Sequence, residues 1–114
     1  MAFITNVDST PKETVNYENL VKLCASQALE EYQFTGAIKV SSVFYFQIPV
    51  SRAKKLKEGD WHCQRPDVDN CKKSVLDGCN KVAWADDCLI CRIEAEKRWT
   101  TGVARAEVTI EEIQ

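Results

Sequence analysis

The chain has 114 residues, 45% of them apolar and 28% charged, with a formal net charge of −2 and a pI near 5.4. That length allows one domain with a modest core. The charge balance excludes holding nucleic acid by overall positive charge, and no apolar run reaches the ~20 residues that a membrane span needs.

Met1 to Asp8 has no basic segment followed by an apolar one, so it does not read as a secretory signal. A cytoplasmic protein with six reduced cysteines is expected. Ser9-Thr10-Pro11-Lys12-Glu13 then opens a helix. Thr10 and Glu13 make a capping-box pair, and proline suits the first helical position. Tyr17, Leu20, Val21, Cys24, Ala28 and Tyr32 follow at steps of mostly three and four, which predicts one apolar stripe ending near Gln33 and Gly36. Ala37 to Pro49 is an alternating strand: Ile38, Val40, Phe44, Phe46 and Ile48 share a face that only Ser42 interrupts.

Ser51 to Asp60 reads as a short helix capped by Ser51 and ended at Gly59. Arg52, Lys54, Lys55 and Lys57 concentrate positive charge there. Such a cluster is either a solvated face or a grip on phosphates, contributing affinity without reading sequence. The only histidine, His62, is expected to be a hydrogen-bonded structural residue.

The stretch Arg65-Pro66-Asp67-Val68-Asp69-Asn70 precedes a second helix. Residues two apart in extended backbone project to one side, and Pro66 favours that geometry locally. Two carboxylates facing one way repel each other unless a cation lies between them, and Mg²⁺ and Mn²⁺ prefer oxygen ligands. The plainer alternative is that Asp69 or Asn70 merely caps the helix. Cys71, Val75, Cys79 and Val82 form its apolar face, while Lys73 and Asp77 follow Asp69 at four-residue steps on another. Lys73 is either an ordinary surface ion-pair partner or a cation placed to stabilise a phosphate oxygen. The pair Asp86-Asp87 supplies more carboxylates before a half-buried strand, Cys88 to Thr100. There Leu89, Cys91, Ile93, Ala95 and Trp99 share a face broken by Lys97. Thr100-Thr101-Gly102 suggests an antiparallel hairpin into a last strand, Ala104 to Glu111. The architecture is α/β (α+β), with helices on a small mixed sheet.

The string Arg65-Pro66-Asp67-Val68-Asp69-Asn70, with Lys73, Val75-Leu76-Asp77 and Asn80 to Asp87, closely resembles the RusA family of Holliday junction resolvases. Weaker resemblance extends to Thr10-Pro11, Tyr17-Glu18, Phe46 to Pro49 and the C-terminal strands, so that it covers most of the chain as one domain, 1–114. The resemblance implies a Mg²⁺-dependent endonuclease, with Mn²⁺ as a substitute, that resolves four-way and branched DNA as a homodimer in recombination and repair. It implies a bacterial or phage-infected cell and a prophage origin. Asp67, Asp69 and Asp87 match the family's metal-binding aspartates and Lys73 its catalytic lysine. Asp86 and Asp77 are auxiliary candidates, and Arg52, Lys54, Lys55, Lys57, Arg65 and Lys72 are the candidate DNA contacts. Bound divalent ions would reverse the acidic charge locally. The family begins with a strand and a basic loop; Met1 to Ser9 is short and has no basic residue, so the chain is expected either to lack that first strand or to be a shortened relative.

Two other readings are carried. One is a zinc-stabilised module using Cys88-x-x-Cys91 with His62, Cys63, Cys71 or Cys79. Its difficulties are that residues three apart on a strand face opposite sides and that Cys71 and Cys79 lie on an apolar helix face. The other keeps the fold as a non-catalytic binder of DNA junctions or of a partner.

Overall fold

In a computed structural model, which describes residues 2–10 and 14–113, the elements are β1 (Ala2–Val7), α1 (Thr14–Leu29), β2 (Ile38–Gln47), α2 (Val68–Cys79), β3 (Ile90–Thr100) and β4 (Arg105–Glu112). The strands form one mixed sheet in the order β1-β4-β2-β3, antiparallel except for the β2–β3 pair. Two helices and a four-stranded mixed sheet make the α+β fold that the sequence patterns imply.

The alternation in β2 decides which face is covered. Ile38, Val40, Ser42, Phe44 and Phe46 are buried, while the residues between them keep partial exposure. Both helices lie on that face, α1 against α2 and β1, and α2 against β2 and β3. The opposite face carries polar pairings instead: Lys39 with Glu94 at 3.0 Å, and the Arg105 guanidinium 4.1 Å from the centre of the Tyr45 ring. The helices meet closely at Gly78. A Cβ there would stand 2.8 Å from the Glu18 carbonyl oxygen and from Val21 Cβ, distances that neither backbone nor a branched side chain can yield easily.

Several expectations need correction. The first strand is present: β1 pairs along its length with β4, from Ala2 opposite Glu111 to Val7 opposite Ala106. Of the proposed Thr10–Glu13 capping box, Glu13 lies outside the described residues, as does Pro11, the expected first helical residue. Helix α1 ends at Leu29, earlier than expected, because Glu30 and Glu31 take left-handed φ values of 49° and 73° that no helix continues. Its buried stripe is Tyr17, Val21, Ala25 and Leu29, while Ala28 and Tyr32 are exposed. Ser51 to Asp60 is not an α-helix. A single 3-10 turn, Val50–Arg52, starts from Pro49 without a side-chain cap, and turns follow it to Gly59 at φ 85°.

Strands β3 and β4 do not pair as a hairpin, because β2 lies between them and bonds to both. This leaves β3 at the sheet's edge. A register shift opposite Ile38/Lys39 makes Cys91 the extra residue, and both Cys91 and Ile93 are exposed. The helical face of α2 follows expectation: Cys71, Val75 and Cys79 are fully buried.

Candidate functional site

Helix α2 starts two residues earlier than expected, with Asp67, not Asp69 or Asn70, as its N-cap. An aspartate at this position ordinarily turns its carboxylate onto the first helical N–H groups. Asp67 makes no side-chain capping bond, and the N–H groups of Asn70 and Cys71 bond instead to its backbone carbonyl. Asp67 and Asp69 are both exposed, so two uncommitted carboxylates stand at the positive end of the helix. Lys73, one turn beyond Asp69, is exposed as well, and Asp77 lies one turn further on.

The segment before the helix is tied down from the sheet. Lys97, the residue that breaks the apolar face of β3, donates its ammonium hydrogens to the carbonyl of Gln64 and to that of Pro66, the latter at 2.7 Å. The His62 amide donates to the Lys97 carbonyl at 3.2 Å. One lysine therefore fixes the approach to Asp67. Sequence reasoning missed it, although a lone cation on an otherwise apolar strand face was the available signal.

The second acidic pair is differently employed. Asp86 caps a 3-10 turn, Asp87–Leu89, its carboxylate accepting from the Cys88 amide at 3.0 Å. Asp87 is therefore at the start of that turn and not of the strand. Its Oδ1 accepts from the indole nitrogen of Trp84 at 2.8 Å, and Trp84 is fully buried.

Asp67 caps the start of α2, and the chain reaches Asp86 and Asp87 only after that helix has ended at Cys79. Burial pushes the Cys71 thiol up to about 11, with Asp67 adding to the shift and Lys97 opposing it. Burial likewise pushes Cys79 up to about 12, and there the added negative charge is that of Asp87. Eight residues separate these cysteines, roughly 12 Å along a helix axis. Among the described residues no three His, Cys, Asp or Glu side chains gather into a group able to hold a metal ion. All six cysteines are free; Cys71 and Cys79 are buried, and Cys63, Cys88 and Cys91 exposed.

The candidate DNA contacts divide by exposure. Lys54, Lys55, Lys57 and Arg65 are exposed, Lys72 is half-buried, and Arg52 is drawn inward until its guanidinium lies 5.6 Å from the centre of the Trp99 ring. No helix among the described residues is long and apolar enough to cross a membrane.

A family model described as endodeoxyribonuclease RusA matches residues 4–111. The chain is also similar to a Bacillus subtilis protein called uncharacterized protein YqaN, with 31% identity over 110 residues, covering 90% of this chain and 77% of that one. The family match takes in both acidic pairs, helix α2 and all but the outermost residues of the sheet. This chain therefore belongs to the RusA family of endodeoxyribonucleases, nucleases that act on Holliday junctions.

Proposed function

We propose that this protein is a Mg²⁺-dependent resolvase that nicks four-way and branched DNA by phosphodiester hydrolysis, with the start of α2 as its reaction centre. One observation carries the placement: Asp67 occupies the N-cap yet leaves its carboxylate uncommitted, beside the equally free Asp69. Hard oxygen donors suit Mg²⁺ or Mn²⁺. Two protein carboxylates suffice where water and a substrate phosphate complete the coordination. Asp67 and Asp69 fit that requirement, whereas Asp86 and Asp87 serve a local cap and the Trp84 indole. A bound ion supplies charge stabilisation at the phosphate and an activated water.

The chain's own residues do the rest. The N-terminus of α2 and the Lys73 ammonium favour a phosphate beside the carboxylates and the negative charge that develops on the leaving 3′ oxygen. Lys97 holds the Gln64–Pro66 backbone so that Asp67 keeps its position. Lys54, Lys55, Lys57, Arg65 and Lys72 bind the DNA backbone, fixing register without reading sequence. A homodimer belongs to the proposal, because paired nicks on two strands need two such helix starts related by a two-fold axis. The setting proposed is the cytoplasm of a bacterial or phage-infected cell, where junction DNA is found.

The test is cleavage of a synthetic four-way junction across a Mg²⁺ titration. Wild-type protein is expected to nick opposite strands and Asp69→Asn to bind the junction without cutting. Equal cutting by both proteins refutes the site; binding without cutting by the wild type makes the protein a non-catalytic junction binder.

A further inference from the structure

The outer edge of β3 is occupied along only part of its length. From Lys97 onward it pairs with the segment that leads to α2. The His62 amide donates to the Lys97 carbonyl, the Trp99 amide to the Asp60 carbonyl and the Gly59 amide to the Trp99 carbonyl. Trp61 stands opposite Arg98, whose guanidinium lies 3.7 Å from the centre of its ring. N-terminal to Lys97 no backbone hydrogen bond crosses that edge among the described residues, and Cys91, Arg92, Ile93 and Glu94 are exposed. Backbone groups along a strand point alternately to its two sides, so Ile93 and Ala95 aim their N–H and C=O groups outward, as Lys97 and Trp99 do. Open edges are ordinarily blunted with lysine or proline. The run from Cys91 to Ala95 has neither, and at its centre stands Ile93, an apolar residue left 42% exposed.

We propose that this open run is where two copies of the chain join, β3 to β3 and antiparallel, about a two-fold axis at Ile93. This deepens the resolvase reading, whose paired nicks need two sites, and rests on it. The charges choose the register. With Ile93 opposite Ile93, Arg92 of each copy faces Glu94 of the other, two opposite-charge pairs directly across the strands. Moving the axis by one residue either way would set Glu94 against Glu94 or Arg92 against Arg92, which repels. Neither side chain is spent within the chain. Arg92 has no ion pair among the described residues, and Glu94 holds Lys39 through Oε1 at 3.0 Å, leaving Oε2 for a second cation. Both lie on the face that no helix covers, whereas Ile93 lies in register with buried Val40 on the other. There Leu76 adds apolar surface. It is half-buried and stands two residues from Gly78, roughly 200° around α2 from the contact with α1. That side of α2 looks to the β3 edge, because α1 packs towards β1 and α2 over β2 and β3. The axis stands perpendicular to the joined sheet, so both α2 starts lie on one side of it. Lys97, which anchors each start, is four residues from the axis in either copy, placing the two anchors about 26 Å apart along the strands.

The experiment exchanges the charges in one chain at a time. Arg92→Glu sets glutamate against glutamate in both pairs, and Glu94→Arg sets arginine against arginine. Each variant alone is expected to dimerise at least about tenfold more weakly than the wild type, measured by sedimentation equilibrium without DNA. An equimolar mixture of the two restores both opposite-charge pairs. A heterodimer of near wild-type affinity is therefore expected, identified by its mass in native mass spectrometry, and an unfolded chain would not form one. Ile93→Lys, at an exposed position, sets like charges on the axis and is expected to be monomeric too; it decides the matter if either charge variant fails to fold. Junction cleavage is read on the same samples, where paired nicking should fall with each variant and return in the mixture. Variants that dimerise as the wild type does overturn the β3 interface and leave the resolvase reading standing, because another surface then joins the two sites. So does a mixture of folded variants that gives no heterodimer. A wild type that stays monomeric, both alone and on a junction, overturns it as well. A wild type that pairs through β3 yet never cuts a junction overturns the resolvase reading and leaves the interface in place.

Discussion

The two aspartate pairs differ in what their oxygens are already doing. At Asp86-Asp87 one carboxylate satisfies a backbone amide and the other a fully buried tryptophan. At Asp67-Asp69 neither does such a job, although Asp67 sits where capping is nearly automatic for its residue type. Carboxylates gathered at a helix start and left without protein partners gain little for stability. On the proposed reading, the first pair is left open to an external ligand, whereas the second also serves the fold.

The largest expected effect follows from that separation. Asp69→Asn should lower the rate of junction cleavage at least ~100-fold, the scale seen when a charge-stabilising group is lost, while thermal unfolding stays where it was. Asp87 should behave oppositely with respect to stability. Asp87→Ala strands the Trp84 indole N–H and should cost about 1–3 kcal/mol, nearer the lower figure because Asp87 itself is exposed. Asp87→Asn keeps an oxygen for the indole and should unfold close to wild type. If Asp87→Asn also abolished cleavage at wild-type stability, the second pair would share in the chemistry, and the contrast drawn here would break.

How much of this was legible in the sequence depends on the range of the interaction. The α2 face of Cys71, Val75 and Cys79 and the alternation of β2 are local periodicities, and both are present in the structure. The acidic motif also stands out in sequence, since its spacing is local. Strand order is not local: the Thr100-Thr101-Gly102 turn looks like a hairpin, but β2 takes the place between its arms. The Cys91 bulge needs the register against β2 to be seen. Lys97 read as a flaw in an apolar face, and only the fold shows that the carbonyls of Gln64 and Pro66 lie within its reach. Nor does sequence show that the Asp67 carboxylate, at the start of a twelve-residue helix, makes no capping bond.

Lys97 gives the next test of the contrast. Lys97→Met keeps much of the apolar stem and removes the ammonium. Two charge-assisted bonds are lost from a half-buried group, so a destabilisation of about 1–2 kcal/mol is expected. If the segment before α2 must be held for Asp67 to act, cleavage should fall more than stability explains, with junction affinity nearly intact. A fall in both to the same extent would make the lysine merely structural.

His62 adds a smaller effect with a definite sign. Burial, with the charges of Lys97 and Arg52, holds its pKa below the ordinary 6.5. The unfolded chain then binds the proton more readily, so stability rises with pH in this window. The contribution is complete above the ordinary value and is lost as the pH falls from there through the lower folded value. Thermal unfolding followed from about pH 7 to pH 5 should show this slope, and His62→Phe should flatten it.

The smallest expected change is the sharpest for the comparison. Replacing an N-cap aspartate by alanine usually costs about 1 kcal/mol, because a helical N–H loses its acceptor. Asp67 makes no such bond, so Asp67→Ala removes only the attraction between an exposed negative charge and the helix N-terminus. A few tenths of a kcal/mol is then expected, a shift of about 1–2 °C in Tm, and added salt should shrink it further. A full capping loss would mean that the carboxylate turns onto the helix in solution, and the pair at the start of α2 would then be occupied much as Asp86 and Asp87 are. A near-zero change in stability, together with a cleavage defect as deep as that of Asp69→Asn, is the combination that a carboxylate reserved for the reaction produces.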